Sequence, residues 1–206
     1  MSNTTSNKKK KMSFIEKARR SQILDIAVDE IANKGYENFT IQAIAKKDEV
    51  NKASVYYHFK GREQLLGSLY ITLIDELYEY RVRRVNEEKT ATEKLKAYIG
   101  AYIDYCQTNV KKFIALFGLG FDLSSTESSK NMWSDEVTDR SFGFLEGILV
   151  EGKKNGEFTA SNSEKVVPLI QGALDGILTQ WISTPSKINL PECQDVLMKM
   201  VLSYVK

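Results

Sequence analysis

The residues best suited to chemistry are crowded into one short stretch, "VNKASVYYHFKGREQLL", at residues 50–66. His58 is the only histidine of the chain, and no acid accompanies it in a catalytic motif, so general-base catalysis and metal binding are both disfavoured. Tyr56, Tyr57 and Lys60 instead offer hydroxyl and ammonium donors, which suit phosphate oxygens. The stretch therefore indicates contact with a polar, anionic partner.

The distribution of charge supports the same partner. The 206 residues carry a net charge of +2, but residues 1–65 have 13 Lys and Arg against 8 Asp and Glu, a net of +5, and the rest a net of −3. A basic N-terminal third is an electrostatic footprint for nucleic acid. The run "KKKK" at 8–11 predicts a disordered basic arm over residues 1–12, which beside a DNA-binding fold is a candidate phosphate or minor-groove contact.

Composition excludes several classes of protein. With only 3 Pro and 12 Gly, an all-α fold is favoured. No apolar run approaches a membrane span and no signal peptide is visible, so we expect a cytoplasmic protein with no membrane partner. Cys106 and Cys193 lack a CxxC or histidine partner, which favours free thiols. We expect no metal and no cofactor, and the absence of catalytic motifs argues against an enzyme.

The first third of the chain predicts three short helices. Ile23, Ala27 and Ile31 recur with helical spacing, and the next residues, "NKGY", place Gly35 as a left-handed C-cap. Thr40 and Asn51 are good N-caps for a second and a third helix. The short connection between those two helices is typical of a helix-turn-helix, whose second helix enters the major groove of DNA.

This arrangement predicts a DNA-binding domain over residues 13–61 and double-stranded DNA as partner. Hydroxyls, cations and helix N-termini are the groups that DNA phosphates accept from, and a tyrosine ring can pack on the sugar-phosphate wall. The candidate DNA-contact residues lie at the start of the second helix and along the third: Thr40, Gln42, Asn51, Lys52, Ala53, Ser54, Tyr56, Tyr57, His58 and Lys60.

The stretch at 23–66 closely resembles the TetR/AcrR family of transcriptional regulators. Its pattern of a helix, "GY", "T...IA", a short turn and "Y.HF..KE.LL" is matched by Gly35-Tyr36, Thr40, Ile44-Ala45, Val50, Tyr56, His58-Phe59, Lys60 and Glu63-Leu65-Leu66. For the remaining chain, residues 62–206, the resemblance implies a helical domain that dimerises and binds a small molecule, about nine helices in all.

Two positions depart from the family pattern. Asp48-Glu49 stands in the turn where the family usually has Ala-Gly, and a non-glycine residue held at positive φ would cost about 1–2 kcal/mol. Ala53 replaces a frequent glycine in the third helix and favours that helix. We expect either a reshaped turn or a cost at Glu49.

Aromatic residues concentrate in the middle of the predicted body. We expect a long helix over 62–86 that acts as a lever, further helices near 92–108, 110–117 and 131–155, and a mobile loop at 118–130 that gates a cavity. The candidate lining residues for a mostly apolar ligand are Tyr98, Tyr102, Tyr105, Phe113, Phe117, Phe121, Trp133 and Phe142. Candidates for orienting a cationic or hydroxylated ligand are Asp104, Tyr105, Asp122 and Glu146.

The last two predicted helices, near 164–182 and 191–205, read as a homodimer interface. The first of them is apolar around most of its circumference, and pairing both with a twofold mate gives a four-helix bundle. The candidate interface residues are Gly172, Asp175, Gly176, Thr179, Leu197 and Val201.

Two functions remain open from the sequence. The favoured one is a dimeric regulator released from a palindromic operator by a small lipophilic ligand, as repressor or activator. The alternative is a constitutive DNA-binding or architectural protein without an effector. An enclosed cavity of roughly 300 Å³ or more in the body would favour the first.

Overall fold

The protein is described by a computed structural model, which covers residues 12–46, 50–123, 135–159 and 162–206, without the side chains of 121–123 and 135–139. All regular secondary structure in these ranges is helical, as predicted. Taken in chain order, the described helices are α1 (Phe14–Lys34), α2 (Ile41–Ala45), α3 (Lys52–His58), α4 (Arg62–Asn86), α5 (Ala91–Thr108), α6 (Val110–Leu123), α7 (Asp135–Lys154), α8 (Ser163–Ser183) and α9 (Leu190–Val205).

The chain divides into two compact units, one ending at Leu69 and the other spanning Tyr70–Lys206. Helix α4 passes through this boundary, so its first turns belong to the first unit and its remainder to the second. None of the described helices is both long and apolar enough to span a bilayer.

The helix ends of the first unit follow the predicted capping chemistry. The side chain of Thr40 accepts a hydrogen bond from the N–H of Ala43, and that of Asn51 accepts one from Ser54. Gly35 ends α1 at the predicted position with a φ of 80°, although its ψ of 152° departs from the left-handed helical value. Local sequence thus sets where α1 ends and where α2 and α3 begin.

A small apolar core holds these helices together. Ile23 of α1, Ile44 of α2 and Val55 of α3 are fully buried, together with Phe59 and Leu65 on either side of the turn into α4. Residues 1–11 of the predicted basic arm (1–12) and the Asp48-Glu49 turn lie outside the described residues.

The guanidinium of Arg20 binds the C-terminus of α3. It donates to the carbonyl oxygen of His58 at 2.8 Å and to the hydroxyl of Ser68 at 2.6 Å, and it stacks 4.1 Å from the ring of Phe59. A cation at the end of a helix also complements the helix dipole. Arg20 therefore joins α1, α3 and the start of α4.

In the second unit, α5 packs against α6, α7, α8 and α9. Its side chains are buried on more than one face, including Leu95, Tyr98, Ile99, Tyr102 and Cys106. Along α4, leucines recur every four residues and are all buried, at Leu65, Leu69, Leu73 and Leu77. The two cysteines, Cys106 and Cys193, are free thiols.

Two predicted boundaries in the body were wrong. Helix α6 does not stop near Phe117 but continues to Leu123, and the buried Leu119 extends its apolar face past Gly118. Residues 118–123 are therefore helix and not the start of a loop. The remainder of the predicted gate, residues 124–130, lies outside the described residues.

The N-terminus of α5 is capped twice. Thr90 and Glu93 form a capping box, and the carboxylate of Glu157, beyond the end of α7, accepts hydrogen bonds from the N–H groups of Ala91 and Thr92, each at 2.9 Å. These backbone bonds, the one from Thr92 first, lower the pKa of Glu157. An exposed carboxylate thus links the segment after α7 to the start of α5.

We expect Glu157 to make stability depend on pH in the acid range. Because its pKa is lowered by folding from the ordinary 4.5, the stabilisation is present above that value and is lost as the pH falls through the lowered pKa. The thermal midpoint of Glu157→Gln should therefore lie below that of the parent at neutral pH and converge with it in acid. Glu79→Gln, an exposed position on α4, is the control and should show no such convergence.

Candidate functional site

The predicted DNA-contact residues form one exposed surface on α2 and α3. Thr40 and Gln42 are exposed at the start of α2, and Asn51, Lys52 and Ala53 at the start of α3. Further along α3, Tyr56 and Tyr57 are exposed, Ser54 and His58 are half-buried, and Lys60 is exposed just beyond the helix. We call this set the α2–α3 surface.

Several of its donors are already oriented. The ammonium of Lys52 lies 5.9 Å from the ring centre of Tyr56, and the rings of Tyr57 and His58 meet edge to face at 5.0 Å. Because these contacts already restrict the side-chain rotamers, less conformational entropy is lost when the surface binds a partner.

A carboxylate of α1 touches this surface. The hydroxyl of Tyr57 donates to Oε1 of Glu16 at 3.0 Å, and Oε2 of Glu16 accepts from the N–H of Ser13 at 2.7 Å as part of the α1 capping box. This hydrogen bond with Glu16 raises the pKa of the Tyr57 hydroxyl, which keeps it a donor. Glu16 was not among the predicted site residues, although "SFIE" is a visible capping-box pattern.

The second unit contains a cavity of about 460 Å³. Helices α4 to α8 each contribute to its wall, which is aromatic and aliphatic with a few polar groups. The lining residues are Tyr70, Ile74, Leu77, Arg81, Tyr102, Phe113, Leu116, Phe117, Gly120, Ser141, Phe142, Gln171 and Asp175.

Four of the eight predicted lining residues are in this wall: Tyr102, Phe113, Phe117 and Phe142. Tyr98 is buried behind the wall, and Tyr105 turns its hydroxyl to Glu76. Phe121 and Trp133 have side chains outside the described part of the structure.

Two of the predicted orienting acids, Asp104 and Glu146, are not in the wall. Asp104 accepts a hydrogen bond from Tyr80, and Glu146 accepts one from Ser163 at 2.8 Å. The side chain of Asp122 falls outside the described residues. The carboxylate that does reach the cavity belongs to Asp175.

Polar side chains of three helices, α4, α5 and α8, meet in this wall and directly behind it. The guanidinium of Arg81 donates to the hydroxyl of Tyr98 at 2.6 Å, and that hydroxyl lies 3.3 Å from Oε1 of Gln171. Gln171 and the hydroxyl of Tyr102 both donate to Oδ1 of Asp175, at 2.9 and 2.5 Å. We call these residues the cavity network: Arg81, Tyr98, Tyr102, Gln171 and Asp175.

Burial dominates the protonation equilibria of the network. It raises the pKa of the Tyr102 hydroxyl well above its usual value, and the negative charge of Asp175 acts in the same direction. Burial also raises the pKa of Asp175, against the lowering effect of its hydrogen bonds from Tyr102 and Gln171 and of the charge on Arg81. The tyrosine therefore remains a hydrogen-bond donor.

The sequence did carry a signal for Arg81. It follows Leu77 by four residues and continues the stripe Leu65, Leu69, Leu73 and Leu77, so helical spacing turns its side chain toward the interior. It is only 3% exposed.

The predicted dimer-interface residues differ in their exposure. Leu197 and Val201 are buried within the body, and the half-buried side chain of Asp175 lines the cavity. Thr179 bonds through its hydroxyl to the carbonyl oxygen of Asp175. By contrast, Gly172 and Gly176 face open space.

Other large apolar side chains of α8 and α9 are exposed. Leu169 is 71% exposed, and Val196, Met200 and Tyr204 are each more than half exposed. Among the described residues no group of three or more His, Cys, Asp and Glu side chains is arranged to hold a metal ion.

Comparisons with known proteins account for both units. Residues 23–69 match the family of bacterial regulatory proteins called the tetR family, and residues 70–203 match the C-terminal region of YsiA-like proteins. The first match covers the helix-turn-helix and the second covers every residue that lines the cavity.

Individual relatives agree with these matches. The chain is 26% identical to the fatty acid metabolism regulator protein of Bacillus subtilis over 183 residues, which are 88% of this chain and 93% of the relative. It is 25% identical to the regulator QacR of Staphylococcus aureus, over 78% of this chain and 84% of that protein.

The fold is likewise shared with a solved structure. The transcriptional regulator FadR of Bacillus subtilis in complex with stearoyl-CoA superposes with a TM-score of 0.78 at 26% identity, over 90% of this chain and 99% of that one. The resemblance noted in the sequence is confirmed, and it extends from the first third to almost the whole chain. The chain belongs to the TetR family and is a DNA-binding transcriptional repressor with a YsiA-like C-terminal region.

Proposed function

We propose that this repressor acts as a homodimer on a near-palindromic operator and is released from it by a fatty acyl-CoA. The observation that carries the effector part is the cavity of about 460 Å³ in the YsiA-like unit, whose wall is mostly aromatic and aliphatic. This volume is in the usual range for ligand sites. A relative of similar fold binds stearoyl-CoA, and a long acyl chain is the kind of molecule such a wall suits.

The cavity also weighs against the alternative of a constitutive DNA-binding protein. Its volume exceeds the roughly 300 Å³ expected of a ligand site. The cavity is partly open to solvent, which leaves a path by which a ligand can enter. The ligand-released repressor is therefore the better account.

Helix α4 supplies a direct route from ligand to DNA in this proposal. It begins in the first unit, directly after α3, and its residues Tyr70, Ile74, Leu77 and Arg81 line the cavity. A ligand that contacts this helix can favour one orientation of it over another. A coupling of about 1–3 kcal/mol suffices for a 5- to 150-fold loss of operator affinity.

For the operator contact we propose the α2–α3 surface, with α3 in the major groove and the two half-sites of a dimer about 34–36 Å apart or at a multiple of that distance. Its exposed hydroxyls and cations are available to phosphates, and the capped N-termini of α2 and α3 point partial positive charge outward. Arg20 supports α3 from behind by bonding to its C-terminal carbonyl.

For the dimer we propose an interface on the exposed faces of α8 and α9. Leu169, Val196, Met200 and Tyr204 are apolar or aromatic and exposed in the single chain. A Cβ atom added at Gly172 or Gly176 would meet nothing, which leaves room for the helix of a partner. The sequence-based assignment of Asp175, Leu197 and Val201 to this interface is replaced by these residues.

The effector proposal is tested by measuring operator affinity with and without ligand. Fluorescence anisotropy on DNA from upstream of the protein's own gene should show sequence-specific binding that falls at least about five-fold with a long-chain acyl-CoA. Free CoA, which lacks the acyl chain, is the control and should have little effect. Equal effects of CoA and acyl-CoA, or no effect of either, would refute the acyl-CoA effector.

The DNA contact of Lys52 is tested by its salt dependence. If each protomer of a dimer loses one phosphate contact in Lys52→Ala, the slope of log K against log[salt] should become less steep by about 1.8. Lys96→Ala makes the same charge change at an exposed position on α5 in the second unit and should leave the slope nearly unchanged. An identical slope in both variants would show that Lys52 makes no phosphate contact.

The interface is tested by charged substitutions on the exposed apolar face. Sedimentation should show the double variant Leu169→Glu, Met200→Glu as a monomer, because four carboxylates would meet in an apolar twofold contact. Val150→Glu replaces a side chain that is 54% exposed on α7 and should remain dimeric. A dimeric double variant would place the interface elsewhere.

A further inference from the structure

Two opposite charges line the same apolar cavity without forming a direct ion pair. Arg81 enters from α4 and Asp175 from α8, and the described contacts of each are to neutral side chains. A buried ion needs a counter-charge or a full set of hydrogen bonds to offset the loss of water. Both groups therefore have bonding capacity that the protein alone does not use.

The unused hydrogen-bonding capacity of Arg81 lies on its N–H groups. One terminal nitrogen donates to Tyr98 at 2.6 Å, and the other reaches Ser141 at only 3.4 Å. Its Nε has no hydrogen-bond partner but is covered by the protein. Since Arg81 lines the cavity, the donors offered to a ligand are the remaining N–H groups of its two terminal nitrogens. The rings of Tyr98 and Tyr102, at 4.8 and 5.2 Å from the guanidinium carbon, stabilise the charge from the sides. None of these partners is an anion.

The capacity left on Asp175 is on one oxygen. Oδ1 accepts both hydrogen bonds, from Tyr102 and from Gln171, whereas Oδ2 accepts none from the described side chains. Oδ2 is not fully covered by the protein, and Asp175 is a lining residue of the cavity. A ligand inside the cavity can therefore donate to it.

A ligand that fills the cavity excludes water from these groups. A pure hydrocarbon would replace no hydrogen bond and would leave a cation and an anion without solvent. A carboxylate would suit Arg81 but be repelled by Asp175, and an ammonium group would meet the opposite difficulty. A neutral hydroxyl fits both, because its oxygen accepts from Arg81 while its hydrogen is donated to Asp175.

We propose that Arg81 and Asp175 form a recognition site for a hydroxyl group carried on an otherwise apolar ligand. The inference rests on the proposal that this cavity holds the effector, and it narrows that effector to a hydroxylated chain. Hydrogen bonds to charged partners are the stronger kind, so the hydroxyl should improve affinity about ten-fold over the same chain without it.

The donor role is tested first with ligands that contain no CoA. A long-chain alcohol and its methyl ether differ in the hydroxyl proton, since the ether oxygen accepts but does not donate. Calorimetry on the full-length protein should give about ten-fold tighter binding of the alcohol. Equal binding of the two, or tighter binding of the ether, would overturn the proposal.

Variants assign the preference to the two residues. Asp175→Asn keeps the shape and the acceptor for Tyr102 but removes the charge, and the ratio of the two affinities should fall several-fold; Arg81→Gln should weaken both ligands. Leu116→Met changes only the apolar wall and should leave the ratio intact. A ratio that persists in Asp175→Asn would contradict the assignment.

A second arm separates this inference from the effector class. Acyl-CoAs of one chain length, without a hydroxyl or with it at the β carbon, at mid-chain or at the terminal carbon, are compared by operator release. One hydroxylated member should act at about ten-fold lower concentration than the parent. If the alcohol is preferred but no acyl-CoA acts, the acyl-CoA effector is wrong and the hydroxyl site stands. If acyl-CoAs act with no preference for a hydroxyl, the hydroxyl site is wrong and the acyl-CoA effector stands.

Discussion

The second unit depends on keeping the guanidinium of Arg81 charged inside an apolar cavity. Arginine does not lose its proton in proteins, so the surrounding helices must supply the stabilisation that water no longer gives. Tyr98 of α5, Ser141 of α7 and, through Tyr98, Gln171 of α8 provide it. These bonds fix α4 relative to the helices around the cavity. Burying this charge costs free energy, and the hydrogen bonds that offset the cost also give the site a defined geometry.

The first unit was predictable because short-range rules determine it. The N-caps Thr40 and Asn51 and the turn at Gly35 each act within a few residues of their own position, and the structure has all of them where the sequence placed them. The link between Arg20 and the carbonyl of His58 spans 38 positions and is not visible as a pattern. Spacing therefore predicted the helices but not the bonds that hold them together.

The cavity was predictable in kind but only partly in its residues. A local excess of aromatic side chains indicated an apolar wall, and Tyr102, Phe113, Phe117 and Phe142 are in it. Which face of α5 turns inward depends on neighbours distant in the chain, so Tyr98 and Tyr105 could not be separated from Tyr102. Asp175 was given to an interface because a helix apolar on most sides does not show which side meets a partner and which a cavity.

The hydrogen bond between Tyr57 and Glu16 gives the unbound repressor an internal substitute for a phosphate. The carboxylate of Glu16 accepts from the Tyr57 hydroxyl, the same donor that we propose for the DNA backbone. It is held in place by its second hydrogen bond, from the N-terminus of α1. A phosphate that takes this hydroxyl exchanges one anion for another, so the number of hydrogen bonds at Tyr57 is unchanged. The tyrosine then contributes little net affinity, and its main effect is that α3 meets DNA with a side chain already oriented for it.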